Sequence, residues 1–214
     1  MTAAPTVFVS HGMRELSARA GRDVLAPLLA VADCRIWEPS RRPHRAELVE
    51  ALQPADGLLC LLTDPVDAAL IESCPRLRII SSYSVGVDHI DLEAATLRGI
   101  PVGHTPGVLT ETTADLAFAL LLASARRVVE SGAFLGRGAW ATGQWEIDAF
   151  VGRDVHGATL GIVGLGPIGQ AMARRALGFG MRVVAWSRSG RSVEGVRSVS
   201  FETLLEESDF VSVH

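Results

Sequence analysis

The stretch from Thr159 to Arg188, TLGIVGLGPIGQAMARRALGFGMRVVAWSR, constrains the fold more than any other part of the chain. An apolar, β-rich run (Leu160 to Val163) leads through Gly164, Gly166 and Gly169 into a helix-compatible segment. A second β-rich run, Arg182 to Trp186, follows. This is the pattern of a βαβ unit. The Gly-x-Gly-x-x-Gly spacing has a physical reason at each position: a tight turn, close approach of backbone to a pyrophosphate, and close packing of helix on strand. Phosphate would rest at the helix N-terminus, where free N–H groups and the macrodipole favour anions. Three glycines alone mark only a turn. Placed after a strand, before a helix and at this distance from a second strand, they predict a dinucleotide site.

An acid that accepts from the ribose hydroxyl is expected about twenty residues further on. The chain has Ser187, Arg188 and Ser189 there. An acid would repel a 2′-phosphate, whereas Arg with two hydroxyls can bind one by charge-assisted hydrogen bonds. The expected cofactor is therefore NADP(H) in preference to NAD(H), with NAD(H) left open.

Upstream, β-type runs alternate with helical patterns. Thr6 to Val9 precedes a helix expected over Arg14 to Val31, Arg35 to Trp37 one over Arg45 to Leu52, and Gly57 to Leu62 one over Val66 to Ser73. Leu77 to Ser81 is followed by a helix near Asp91 to Leu97 and a short strand at Pro101 to Gly103. Such alternation predicts a parallel sheet with helices on both faces. The fold class is thus α/β with two doubly wound domains, a flavodoxin-like one over residues 1–104 and an incomplete nucleotide-binding one over 105–214. A long helix is expected from Gly107 to about Phe134, then an irregular segment holding Trp140 and Trp145. Phe210 to Val213 is expected to be the third and last strand of the second sheet, with the outer edge of the Leu160 strand left bare.

A chain of 214 residues with 48% hydrophobic content can bury a sizeable core. Its net charge of −4, with arginines scattered along the chain, gives no basic field for nucleic acid. Cys34, Cys60 and Cys74 lack disulfide-framework or zinc-ligand spacing, so no metal site is expected and a reduced cytoplasm fits. The longest apolar run, Leu116 to Ala125, is about half of what a membrane span needs. No membrane partner is expected.

Ser81 to Asp91, SSYSVGVDHID, is a small-residue turn between a β-rich run and a helix. Free amides at Val85 and Gly86 could hold a carboxylate without a cationic side chain. By itself the stretch reads as a plain strand-to-helix turn. SVGVDHID, HTPGVLTETTADLAFALLLASARR (His104 to Arg127) and VGLGPIGQAMARR (Val163 to Arg175) together resemble, in order and spacing, the D-isomer-specific 2-hydroxyacid dehydrogenases. Within them the chain looks most like the NADP(H)-linked glyoxylate and hydroxypyruvate reductases.

The resemblance implies a substrate-binding flavodoxin-like domain and a Rossmann cofactor domain. It implies that Val85 and Gly86 bind the substrate carboxylate and that Gly164, Leu165, Gly166, Pro167, Ile168 and Gly169 form the pyrophosphate loop. Ser187, Arg188 and Ser189 would bind the adenosine end, and Thr113 would lie near the nicotinamide. It also implies hydride transfer to C2 of a small 2-oxo acid in an interdomain cleft, and a homodimer joined through the cofactor domain and the Trp140 region. The family's Arg, Glu and acid/base His fall beyond the position matching His214, so no catalytic residue is expected among these 214 residues and they are expected to be inactive alone. The alternative is a nucleotide-binding or corepressor-like interaction protein of the same fold without turnover.

Overall fold

The computed structural model describes residues 4–143 and 146–214 and divides into two compact units, Met1–Val108 and Leu109–His214. Trp145, expected in the irregular segment, lies outside the described residues.

The first unit runs β1 (Thr6–Val9), α1 (Met13–Ala20), α2 (Ala26–Leu29), β2 (Asp33–Ile36), α3 (Arg45–Leu52) and β3 (Gly57–Leu61). It continues as α4 (Ala68–Ser73), β4 (Ile79–Tyr83), α5 (Leu92–Leu97) and β5 (Val102–Gly103). The strands form a parallel sheet in the order β2-β1-β3-β4-β5, the doubly wound order expected of a flavodoxin-like domain. Successive strand residues face opposite sides, so β1 sends Phe8 to one core with Leu48, Leu52, Leu58, Ile71 and Ile80. It sends Val7 and Val9 to another with Met13 and Leu25. The single helix expected over Arg14 to Val31 is two. Gly21 takes a left-handed φ of 63° and closes α1, and Pro27 opens the short α2.

The second unit runs α6 (Thr110–Ala125), α7 (Val128–Gly136), β6 (Thr159–Val163), α8 (Pro167–Gly178), β7 (Arg182–Trp186), β8 (Arg197–Ser198), α9 (Phe201–Glu207) and β9 (Phe210–Val213). Its core gathers Phe118 and Ala125 of α6, Leu160 and Ile162 of β6, Met172 and Ala176 of α8, and Val183 and Ala185 of β7. The long helix expected from Gly107 to Phe134 breaks after Ala125. Arg127 adopts a left-handed φ of 54°, and the amide of Arg153 takes the Ala125 carbonyl at 2.8 Å. That bond satisfies one of the carbonyls a helix end leaves open.

The strand order of this sheet corrects the sequence expectation. It is β8-β7-β6-β9, all parallel. Phe210–Val213 is therefore not the third strand beside Arg182–Trp186. The two-residue β8 takes that place, and β9 lies on the other side of β6, whose edge is not bare. Gly161 makes room for this path. A Cβ there would collide with Ser208 and Leu204, so the missing side chain lets α9 lie directly over β6. The chain then emerges on the far side, where Asp209 bonds Thr159 through its backbone amide at 2.9 Å and accepts the Thr159 amide on its carboxylate at 2.8 Å.

Candidate substrate and nucleotide sites

In the first unit the chemistry-bearing side chains gather where β1, β3 and β4 end. Ser10 and His11 follow β1, Thr63 and the buried Asp64 follow β3, and Ser82, Ser84 and His89 surround the turn that leaves β4. Asp64 accepts the Leu61 amide at 2.9 Å and stands 3.6 Å from His11, which also meets Ser10 Oγ at 3.2 Å. Sequence reasoning missed this Asp64–His11 pair, because nothing in the spacing of residues 11 and 64 marks them as neighbours.

The turn itself is tied from behind. Ser84 Oγ–H donates to the Gly86 carbonyl at 2.6 Å and meets Ser82 Oγ at 2.6 Å. Ser82 Oγ in turn meets His89 Nε2 at 2.9 Å. Desolvation holds the His89 imidazole below its ordinary pKa, against the pull of Asp64 and Asp88. The Val66 amide donates to the His89 carbonyl, and the Asp91 amide to the Val66 carbonyl, each at 2.8 Å. The loops after β3 and β4 are thereby stitched together.

Val85 and Gly86 are exposed, and their amides make no hydrogen bond to any described residue. Gly86 does not adopt a positive φ, and a Cβ on it would meet only the tip of Asp88 at 3.3 Å. The fold makes no conformational demand for glycine at this position.

In the second unit β6 delivers Gly164 in a left-handed conformation (φ 99°), and α8 begins with Gly166 at its N-cap and Pro167 next. Side chains on Gly164 or Gly169 would strike backbone: the His214 carbonyl oxygen in one case, the Gly164 carbonyl oxygen in the other. A Cβ on Gly166 would meet nothing within 4 Å. The amides of Leu165 and Gly166 are unpaired among the described residues, and those of Ile168 and Gly169 lie in the first turn of α8, which has no intrahelical acceptor for them. Four donors without a described partner therefore gather at one helix N-terminus. That arrangement fits a pyrophosphate.

Ser187, Arg188 and Ser189 follow β7. Arg188 is exposed and makes no bond to a described residue. Ser187 Oγ accepts the Arg191 amide at 3.1 Å, and Arg191 reaches back with its guanidinium to the Leu165 carbonyl at 3.3 Å. Arg191 thus joins the two loops that the sequence assigned to the nucleotide, and the motif window, which stopped at Ser189, missed it. Thr113 lies on the exposed side of α6 and lines a hollow of about 490 Å³ with Leu116, Leu120, Ser212 and His214. Desolvation lowers the His214 pKa. A larger hollow of about 600 Å³, lined by Met181, Arg182, Arg197 and Glu207, contains none of the expected site residues. It opens at the N-terminal ends of β6 and β7, opposite the carboxyl ends where open α/β sheets bind ligands.

The pattern for the D-isomer specific 2-hydroxyacid dehydrogenase catalytic domain matches residues 16–211. The chain is 50% identical over 188 residues to the glyoxylate reductase of Thermococcus litoralis, covering 85% of this chain and 57% of that protein. A crystal structure of the TT0316 protein from Thermus thermophilus superposes with a TM-score of 0.77 at 43% identity, over 98% of this chain and 64% of the other. The D-lactate dehydrogenase of Aquifex aeolicus, solved with NAD and lactic acid, superposes with a TM-score of 0.80 at 26% identity, over 98% and 60%. The chain therefore spans less than two thirds of the length of each of these relatives. With a matched region that takes in both glycine turns and most of both sheets, the chain belongs to the D-isomer specific 2-hydroxyacid dehydrogenase family.

Proposed function

We propose that this chain carries the carboxylate-binding and nucleotide-binding parts of an NADP(H)-linked reductase of small 2-oxo acids, with glyoxylate or hydroxypyruvate as substrate. The observation that carries the reading is the open spot over Gly166, ringed by unpaired amides, beside a strand end that offers Arg188 and Arg191 where an NAD-specific site would offer an acid. The nicotinamide cofactor supplies the hydride. The chain's own part is positional. Backbone amides of Leu165, Gly166, Ile168 and Gly169 receive the pyrophosphate across the loop that Gly164 and Pro167 shape, Ser187, Arg188 and Ser189 receive the adenosine end, Thr113 borders the nicotinamide, and Val85 and Gly86 hold the substrate carboxylate. This gives residues 1–104 the substrate role and residues 105–214 the cofactor role.

Reduction of a ketone also needs a proton donor for the developing alkoxide. His89 and His104, the histidines flanking the carboxylate turn, are engaged with Ser82 Oγ and the Val85 carbonyl. Residues 1–214 by themselves are therefore proposed to bind nucleotide without turnover. Exposed apolar side chains on α7 and the segment after it, Val129, Leu135, Trp140 and Ile147 among them, support a homodimer formed through the second unit. Three free thiols support a cytoplasmic setting.

The test joins equilibrium titration to turnover. Residues 1–214 should bind NADPH more tightly than NADH in a fluorescence titration and should not oxidise NADPH with either acid. Fused to the remaining segment of the Thermococcus litoralis relative, they should reduce glyoxylate or hydroxypyruvate. No nucleotide binding, or turnover by the 214 residues at the rate of the fusion, would overturn the reading.

A further inference from the structure

Within a trans peptide the C=O and the following N–H point in opposite directions, so whatever grips a carbonyl also aims the next amide. Three successive carbonyls in the turn after β4 are gripped. The Ser84 carbonyl accepts both the amide and the hydroxyl of Thr105, each at 2.9 Å. The Val85 carbonyl bonds His104 Nδ1 at 2.8 Å. The Gly86 carbonyl accepts Ser84 Oγ–H, at the end of the chain that runs through Ser82 to His89. The amides opposite these carbonyls belong to Val85, Gly86 and Val87, and none of the three bonds a described residue.

Counting protons fixes the direction of each bond. A carbonyl can only accept, so His104 carries a proton on Nδ1. Ser84 spends its single proton on the Gly86 carbonyl, so Ser82 must donate to Ser84, and His89 must donate to Ser82 from Nε2. Each imidazole is therefore held with a proton on one defined nitrogen, Nδ1 of His104 and Nε2 of His89.

We propose that His104 and His89 are positioning residues for the substrate carboxylate: His104 aims the Gly86 amide by holding the Val85 carbonyl, and His89, through Ser82 and Ser84, fixes the next peptide so that the row cannot rotate. The proposal rests on the reading of Val85 and Gly86 as the carboxylate site. It gives two histidines that lie outside any acid/base motif a defined role, and it makes them proton holders whose protons do not transfer.

The experiment uses the 214-residue chain labelled with nitrogen-15, the variants His104→Ala, His104→Asn, His89→Ala and His89→Gln, and glycolate as the carboxylate probe. Asn places an N–H where Nδ1 stood, and Gln one where Nε2 stood. Imidazole nitrogen spectra should show His104 protonated on Nδ1 and His89 on Nε2. His104→Ala should disorder the Gly86 amide and weaken glycolate about tenfold, the scale of one lost hydrogen bond, while His104→Asn stays within about threefold of the parent. His89→Ala and His89→Gln should differ in the same sense at Val87. Reversed tautomers, or alanine variants with the order and affinity of the parent, would overturn the proposal. If glycolate leaves the Val85 and Gly86 signals of the parent unmoved while the alanine variants still disorder them, the carboxylate reading falls and the carbonyl grip stands.

Discussion

A side chain on Gly169 would drive into the carbonyl oxygen of Gly164, because the first turn of α8 rests on the backbone that leaves β6. Gly164 is itself confined by a φ of 99° and by the His214 carbonyl. Gly166 has neither restraint, and so two of the three motif glycines answer to the fold while the middle one does not. Gly169→Ala should cost about 2–4 kcal/mol of stability, as a buried clash does. Gly166→Val should cost no more than about 1 kcal/mol, the scale of a poorer N-cap, yet abolish NADPH binding. Thermal unfolding alongside nucleotide titration separates the two, and a Gly166→Val chain that still binds NADPH would place the ligand elsewhere.

Arg188 and Arg191 should divide the work at the end of β7. Arg188 makes no bond to a described residue, and on the proposed reading it meets the 2′-phosphate. Arg188→Ala should weaken NADPH by about 1–3 kcal/mol and leave NADH unchanged. Arg191 ties its loop to the Leu165 carbonyl, so Arg191→Ala should weaken both nucleotides. Titrating both cofactors against both variants checks this, and selectivity for NADPH at Arg191 alone would exchange the two assignments.

Helices α6 and α8 are clasped by charge as well as by apolar packing. Arg175 bonds Asp115 twice and Glu111 at 2.9 Å, and Arg174 reaches Glu111 at 2.5 Å. The Arg175 side chain is 22% exposed and that of Arg174 59%. Solvent screens the outer pair more. Arg175→Ala should therefore lower the melting temperature more than Arg174→Ala, and its effect should survive added salt better. Equal shifts for the two variants would show the clasp to be ornamental.

Acid should loosen the start of α3 late. Hydrogen bonds from Arg41, reinforced by the His44 amide, hold Glu47 down from the ordinary 4.5 to about 2. A carboxylate depressed in the folded state contributes stability that is fully present above its unfolded value and disappears as pH falls through the folded one. That contribution should therefore fade between about pH 4.5 and about pH 2. Glu47→Gln should flatten that part of the acid-unfolding curve and leave the curve below about pH 2 unchanged; a parallel curve throughout would contradict the assignment.

The sequence by itself determined whatever is written in local periods. Glycine spacing, the switch from apolar runs to helical patterns, and the replacement of an acid by Ser187 and Arg188 all act within about thirty residues, the span of one βαβ unit. From these the two parallel sheets and the flavodoxin-like, doubly wound character of the first unit could be read. Tertiary structure decided what depends on distant partners. The place of Phe210–Val213 beside β6 turns on the contact of Gly161 with α9 and on a β8 of two residues, too short to show a period. Arg191 meets Leu165 across 26 positions, His104 meets Val85 across 19 and Thr105 meets Ser84 across 21. No local pattern encodes such pairs, because each side chain is aimed by the element that carries it and finds its carbonyl only when the strands have paired.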